Sequence, residues 1–138
     1  MTTTSPAPAA AVCVTLRWLA GVSKNARWKR AARWVYLSPD AQAWQDEAVL
    51  LLRQAMRGQR FDPQRKLWIG IHVQKRDHRS DAINVVDAVA DAVKLAAGVD
   101  DRWYAVATLD WSIVRTVPPV IRVSVAATAA QARRALRA

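Results

Sequence analysis

The chain is poor in the residues that build redox, zinc and phosphate-loop chemistry. Among 138 residues there is one cysteine, two histidines and four glycines. Cys13 has no second thiol with which to form an internal disulfide, and a single Cys without a zinc-type cluster argues against a thiolate metal site. The compartment this implies is reducing, hence cytoplasmic. No Gly-rich phosphate loop occurs, so no nucleotide cofactor is expected, and no Ser-His-Asp or Cys-His pattern stands out. No apolar run approaches 18 residues, which leaves no candidate membrane span. The opening MTTTSPAPAA lacks the basic start and apolar stretch of a secretory signal and reads as a disordered tail over residues 1–10.

What the chain has in excess is positive charge, a formal +10 at pH 7. Such a protein attracts a polyanion. Anionic membranes attract basic chains too, but no long amphipathic basic helix dominates, so nucleic acid is the stronger reading. Acidic residues are few and concentrated. Seven of the eleven lie between Asp77 and Asp110, where only Arg79, Lys94 and Arg102 are basic. An acidic focus opposes phosphate binding unless its carboxylates hold a cation between themselves and the phosphate. The contrast points to a metal-dependent enzyme acting on nucleic acid.

Patterning gives the organisation. Val12, Val14, Leu16 and Trp18 alternate as a strand does, with Cys13 a small sheet residue among them. Residues 21–34 break the alternation. They carry Lys24, Arg27, Lys29, Arg30 and Arg33 with Trp28 and Trp34 interleaved, and read as a basic loop leading into a short strand that ends near Leu37. Ser38-Pro39 predicts a capped helix start, followed by Ala41, Trp44, Ala48, Leu51, Leu52 and Ala55 at helical spacing and Gly58 as a stop. Leu67, Ile69, Ile71 and Val73 predict a second main strand, and residues 75–80 a charged loop. DAINVVDAVADAVKLAAG is the clearest helix, its polar Asn84, Asp87, Asp91 and Lys94 on one stripe that Asp81 joins, with Gly98 ending it. WYAVATLDWSIV and VIRVSVAA read as strands around the Pro118-Pro119 turn, and AQARRALRA as a basic helical or frayed tail. The expectation is a single α+β domain over 11–126, two main helices against a mixed sheet in the order β-(β)-α-β-α-β-β, with a basic C-terminal segment over 127–138.

The acidic stripe admits two readings. Asp81 can cap the helix and complement its dipole, and Asp91 can pair with Lys94 on the surface. Alternatively the stripe and the Asp100-Asp101 pair hold magnesium, which takes oxygen ligands and needs only one or two carboxylates beside phosphate oxygens. The second reading requires the strand after Gly98 to lie beside the helix N-terminus. The tract Lys24 to Trp34 is the candidate phosphate track, with Trp28 or Trp34 stacking on unpaired bases, or else a solvated basic loop with its tryptophans in the core or a dimer seam. His72 reads as structural. His78, between Asp77 and Arg79, is a candidate for DNA or metal contact. Trp103, Tyr104 and Trp111 read as core or interface residues, and Asp110 as an exposed residue of a strand.

The stretch RSDAINVVDAVADAVKLAAGVDDRW resembles the core motif of RusA-type Holliday-junction resolvases: basic residues, Asp-x-Asp-Asn, a helix containing Lys then Asp-Ala, and a late Asp-Asp pair. The segment CVTLRWLAGVSKNARWKRAARWVYLSPDAQAWQDEA is similar to that family's opening strand, Ser-Asn loop and helix start. The resemblance covers roughly residues 12–125 and is most specific over 79–103. It implies a Mg²⁺-dependent homodimeric endonuclease, with Mn²⁺ able to substitute, that cuts branched DNA in recombination and repair. Asp81 matches the first motif aspartate, Asn84 the asparagine, and Asp100 and Asp101 the late pair, Asp101 being the expected catalytic one. Two positions depart. Ile83 stands where the motif has its second aspartate, and Asp87 where it has lysine. They are four apart, one helical turn, so Asp87 can replace the missing carboxylate, while Lys75 or Arg79 supplies the missing positive charge. The expected metal shell is Asp81, Asp87 and Asp101 with Asp100 beside them, supported by Asn84 and Asp91. The expected DNA contacts are Lys24, Asn25, Arg27, Lys29, Arg30, Arg33, Lys75, Arg76 and Arg79. The rival expectation is a catalytically impaired protein that binds junctions without cutting them.

Overall fold

A helix start written into the sequence fixes one side of the molecule. In a computed structural model, which describes residues 10–18, 28–31, 34–79 and 81–137, the Ser38 side chain accepts a hydrogen bond from the Ala41 N–H and α1 runs Pro39–Met56. Arg57, in the left-handed conformation, and Gly58 end it. The apolar spacing buries Ala41, Trp44, Ala48, Leu52 and Met56 on one side. Trp44 also donates its indole N–H to the Arg17 carbonyl at 2.7 Å, tying α1 to the first strand.

The strands are β1 (Val12–Arg17), β2 (Trp28–Ala31), β3 (Trp34–Leu37), β4 (Leu67–Lys75), β5 (Tyr104–Ile113) and β6 (Val120–Ala126). The main sheet has the order β1-β6-β4-β5. β6 is antiparallel to both neighbours, and β4 and β5 are parallel. β2 and β3 form a separate antiparallel hairpin, two strands where the sequence suggested one. The second long helix begins as a 3-10 turn, Ala82–Val85, and continues as α2, Val86–Ala97, with Gly98 as its left-handed cap. A dozen helical residues between two strands make a crossover, which is why β4 and β5 run the same way. The basic C-terminal segment is helix α3, Ala129–Arg137.

α1 and α2 pack on one face of the sheet over Leu67, Ile69, Ile71 and Val73 of β4, Ile121 and Val123 of β6, and Val12, Val14 and Leu16 of β1. α3 packs on the sheet through a small alanine cluster, Ala107, Ala126 and Ala132. Strand alternation assigns it to the other face, because Gly70 points at Leu136 while its neighbours Ile69 and Ile71 belong to the main core. The fold is therefore a mixed-sheet α+β domain, as the pattern predicts, with a third helix covering part of the second face. Among the described residues no helix is long and apolar enough to cross a membrane.

Candidate active site

Placement of the acidic residues follows from the parallel register. Leu67 lies opposite Tyr104, and Lys75 opposite Ile113. Asp100 and Asp101 precede the start of β5, whereas Asp81 follows the far end of β4. Between Asp81 and Asp91 lie the 3-10 turn and five α-helical residues, about 15 Å along the axis at roughly 2 Å and 1.5 Å per residue. Asp91 is already on the Asp100–Asp101 side, since Asp91, Asp100 and Asp101 all act on the Tyr104 hydroxyl. Ligands of one magnesium ion lie about 2 Å from it. Asp81 and Asp101 of one chain cannot meet on a single ion, which corrects the expected convergence of Asp81, Asp87 and Asp101. Among the described residues no three His, Cys, Asp or Glu side chains form a metal-holding group.

Asp91, Asp100 and Asp101 lie within electrostatic reach of the Tyr104 hydroxyl. Asp100 caps the 3-10 turn Asp101–Trp103, its Oδ1 accepting from the Arg102 N–H at 3.1 Å. That bond holds its carboxyl below the usual carboxylate range, helped by a hydrogen bond with the Asp101 side chain and by the charges of Lys94 and Arg102. Tyr104 donates its hydroxyl to the Val99 carbonyl at 2.6 Å. Half-burial pushes its pKa up, and the carboxylates of Asp101, Asp100 and Asp91 push it further. Two adjacent exposed carboxylates, one of them held ionised, fit the minimal oxygen set of Mg²⁺ when phosphate oxygens complete the shell.

Tyr104→Phe removes the donor to Val99 and costs about 1 kcal/mol at neutral pH. The gap narrows in alkali. An unfolded tyrosine ionises near pH 10, the folded one higher, so the wild-type protein loses this contribution as pH rises through that range and the phenylalanine variant has none to lose. Urea midpoints at pH 7 and pH 10.5 check both signs.

The solvent-facing stripe of α2 is as expected. Asp87, Asp91 and Lys94 lie on it, Asn84 continues it in the 3-10 turn, and Ala88, Val89, Ala92 and Val93 are buried beneath. Asp81 makes no side-chain capping bond, so the bland helix-cap reading of it is not realised. Ile83, in the motif-aspartate position, is 67% exposed.

At the other end of α2 sits a mixed group. Lys75 is buried, with its Nζ 4.2 Å from the Trp111 ring centroid, so its charge is spent on an aromatic face. The His78 ring meets Trp111 edge-on at 5.5 Å. Arg76 and Arg79 are exposed, and the Arg79 N–H donates to Asp77 Oδ1 at 2.9 Å. Trp111, expected in the core or an interface, is 44% exposed on edge strand β5. Its location follows from strand order, which alternation within one strand does not encode. Asp110 is exposed as expected, and His72 Nε2 lies 2.9 Å from Ser112 Oγ. Of the basic tract, Lys29 and Arg30 lie in β2. Lys24, Asn25, Arg27 and Arg33 lie outside the described residues.

No curated protein matches the chain. The family model described as endodeoxyribonuclease RusA matches residues 20–126, a span that includes the basic tract, both long helices and all four acidic positions singled out for metal. The chain belongs to the RusA endodeoxyribonuclease family.

Proposed function

We propose that this protein resolves four-way DNA junctions by paired phosphodiester hydrolysis, with Mg²⁺ as its cofactor and Mn²⁺ able to replace it. The observation that carries the reading is the family match over residues 20–126 on a chain of net charge +10. The assigned metal-holding residues are Asp100 and Asp101, with Asp91 on the rim of the same group. Mg²⁺ bound there supplies positive charge for the phosphate and acidity for a coordinated water. The chain's own part is to hold Asp100 ionised through the Arg102 N–H and to bind DNA arms by phosphate contacts rather than base edges. Lys29, Arg30, Arg76 and Arg79, with the basic residues of 24–33, are the assigned contacts. Two opposed cuts require two sites, which a two-fold homodimer provides. The cytoplasm of a bacterium, or of a phage-infected one, is the setting this activity implies.

A second reading, a junction-binding accessory protein without cleavage, is favoured by two observations: exposed Ile83 in place of a motif aspartate, and the separation of Asp81 from Asp101. A labelled synthetic junction separates the readings. A native gel reports binding in EDTA, and a denaturing gel reports nicking after Mg²⁺ is added. Symmetric nicks that appear only with the divalent ion are the expected result. Binding with no nick in Mg²⁺ or Mn²⁺ overturns the nuclease reading in favour of the accessory one.

A further inference from the structure

The face of the sheet opposite α1 and α2 is polar and only partly covered. α3 sits over the Gly70–Ser124 end, where the Ser124 hydroxyl donates to the Ala132 carbonyl at 2.7 Å. Beside α3 the sheet is open, and His72, Gln74, Thr108, Asp110 and Arg122 form the floor of a cleft of about 480 Å³. Its wall is α3, which contributes Arg133, Leu136 and Arg137. The volume is that of a small-molecule or nucleotide site.

The cleft is built for an anion. Three arginines line it, and among the described residues Asp110 is its one carboxylate, already accepting from the Trp111 N–H at 2.8 Å. Arg122 braces helix to sheet, donating to the Leu136 carbonyl, with Cys13 Sγ 3.5 Å from its Nη2. Arg133 donates its Nε–H to the Ala107 carbonyl at 3.0 Å, which fixes the plane of the guanidinium and leaves its terminal nitrogens as donors. Arg137 is exposed in the last turn of α3. Two guanidinium forks, one oriented by the backbone, suit the paired oxygens of a phosphate.

We propose that the cleft between α3 and the polar face of the sheet is a second nucleic-acid site, which takes the phosphodiester backbone of one DNA arm on Arg133 and Arg137. It rests on the reading of the protein as a DNA-junction enzyme, but not on cleavage or on the carboxylates. The site lies on the opposite face of the sheet from α2, so it engages an arm away from the acidic stripe. It also gives the C-terminal helix a role beyond covering alanines.

The test is the salt dependence of junction binding, measured by anisotropy in EDTA between 50 and 200 mM salt. Wild-type protein is compared with Arg137→Gln, Arg133→Gln/Arg137→Gln and, as a control, Arg134→Gln, which removes an α3 charge that does not line the cleft. Each lost phosphate contact shallows the log–log slope by about 0.9. The expected result is one such step for Arg137→Gln, two for the double variant and none for the control. Arg137 makes no fold-stabilising bond among the described residues, so its single variant keeps the test valid if the double variant is unstable. Slopes equal to wild type, or an equal change in the control, overturn the proposal while leaving the junction reading intact. Failure of wild-type protein to bind the junction at all overturns both. Thermal stabilisation by a deoxynucleoside monophosphate that the double variant loses, with the junction slope unmoved, assigns the cleft to a free nucleotide and also overturns it.

Discussion

Asp101→Asn is expected to leave junction affinity near wild type and to cut the Mg²⁺-dependent nicking rate by more than a hundredfold. Loss of residues that merely orient a metal ligand costs about 10–100-fold, and loss of a direct carboxylate ligand removes more. The asparagine keeps the size and one oxygen of the side chain but not its charge. Asp101 is exposed at the start of a 3-10 turn, so the substitution does not disturb the core. Removing a negative charge from a protein that binds a polyanion raises affinity slightly, if anything. Binding retained with cleavage lost is therefore the signature of a metal ligand rather than of a DNA contact. Asp87→Asn provides the contrast, because Asp87 is exposed on the first turn of α2, one turn nearer than Asp91 to the end where Asp81 sits. A nicking rate near wild type in that variant removes Asp87 from the catalytic set, and a loss as deep as that of Asp101→Asn restores it. An Asp101→Asn protein that nicks at the wild-type rate sinks the assignment of the Asp100–Asp101 pair.

Local signals read cleanly because each is a short-range physical event. Ser38 before Pro39, Gly98 after Ala97 and the alternation of Leu67 to Val73 all appear as the sequence implies. The acidic stripe of α2 is exposed because its opposite faces carry alanine and valine. The expected convergence of Asp81 with Asp101 requires the strand after Gly98 to begin beside the helix N-terminus, and β5 begins at the opposite end. A strand, a helix of a dozen residues and a second strand form a crossover, and a crossover returns the chain to the end where it began. Asp81 leaves β4 at one end and Asp101 enters β5 at the other, which the order of elements already implied. Other features were not accessible in that way. Edge position exposes Trp111, and the stacking of Trp111 on Lys75 withdraws a lysine that sequence places among DNA contacts. Both depend on which strands pair. The C-terminal segment over 127–138 reads as a basic tail or short helix and is a helix, but its packing against the sheet is not legible, since alanines at helical spacing among arginines give a weak apolar signal.

That packing makes Gly70 the position where a small change has a large effect. Gly70 lies in a central strand at a register shift, and a Cβ built there meets the Ser124 hydroxyl oxygen and comes within 2.7 Å of Leu136 Cδ1. Of the two neighbours, Ser124 is the one that cannot give. Ser124 is fully buried and bonded to the Ala132 carbonyl, and the Leu136 carbonyl is held by Arg122. Gly70→Val adds three carbons to this contact, and overpacking of that kind costs about 1–3 kcal/mol. For a domain of this size the expected fall in Tm is roughly 3–12 °C. The strain is relieved by lifting α3, which breaks the Arg133 bond to Ala107 and opens the arginine cleft. Gly70→Ala shows a smaller loss, and adding Leu136→Ala recovers part of it because the two sites share one contact. If Gly70→Val melts with the wild-type protein, α3 does not sit on the sheet as described and the cleft beside it does not exist in solution. If it melts low but Leu136→Ala gives no rescue of Gly70→Ala, the strain lies in Ser124 and the strand itself, and the helix is held by its other contacts.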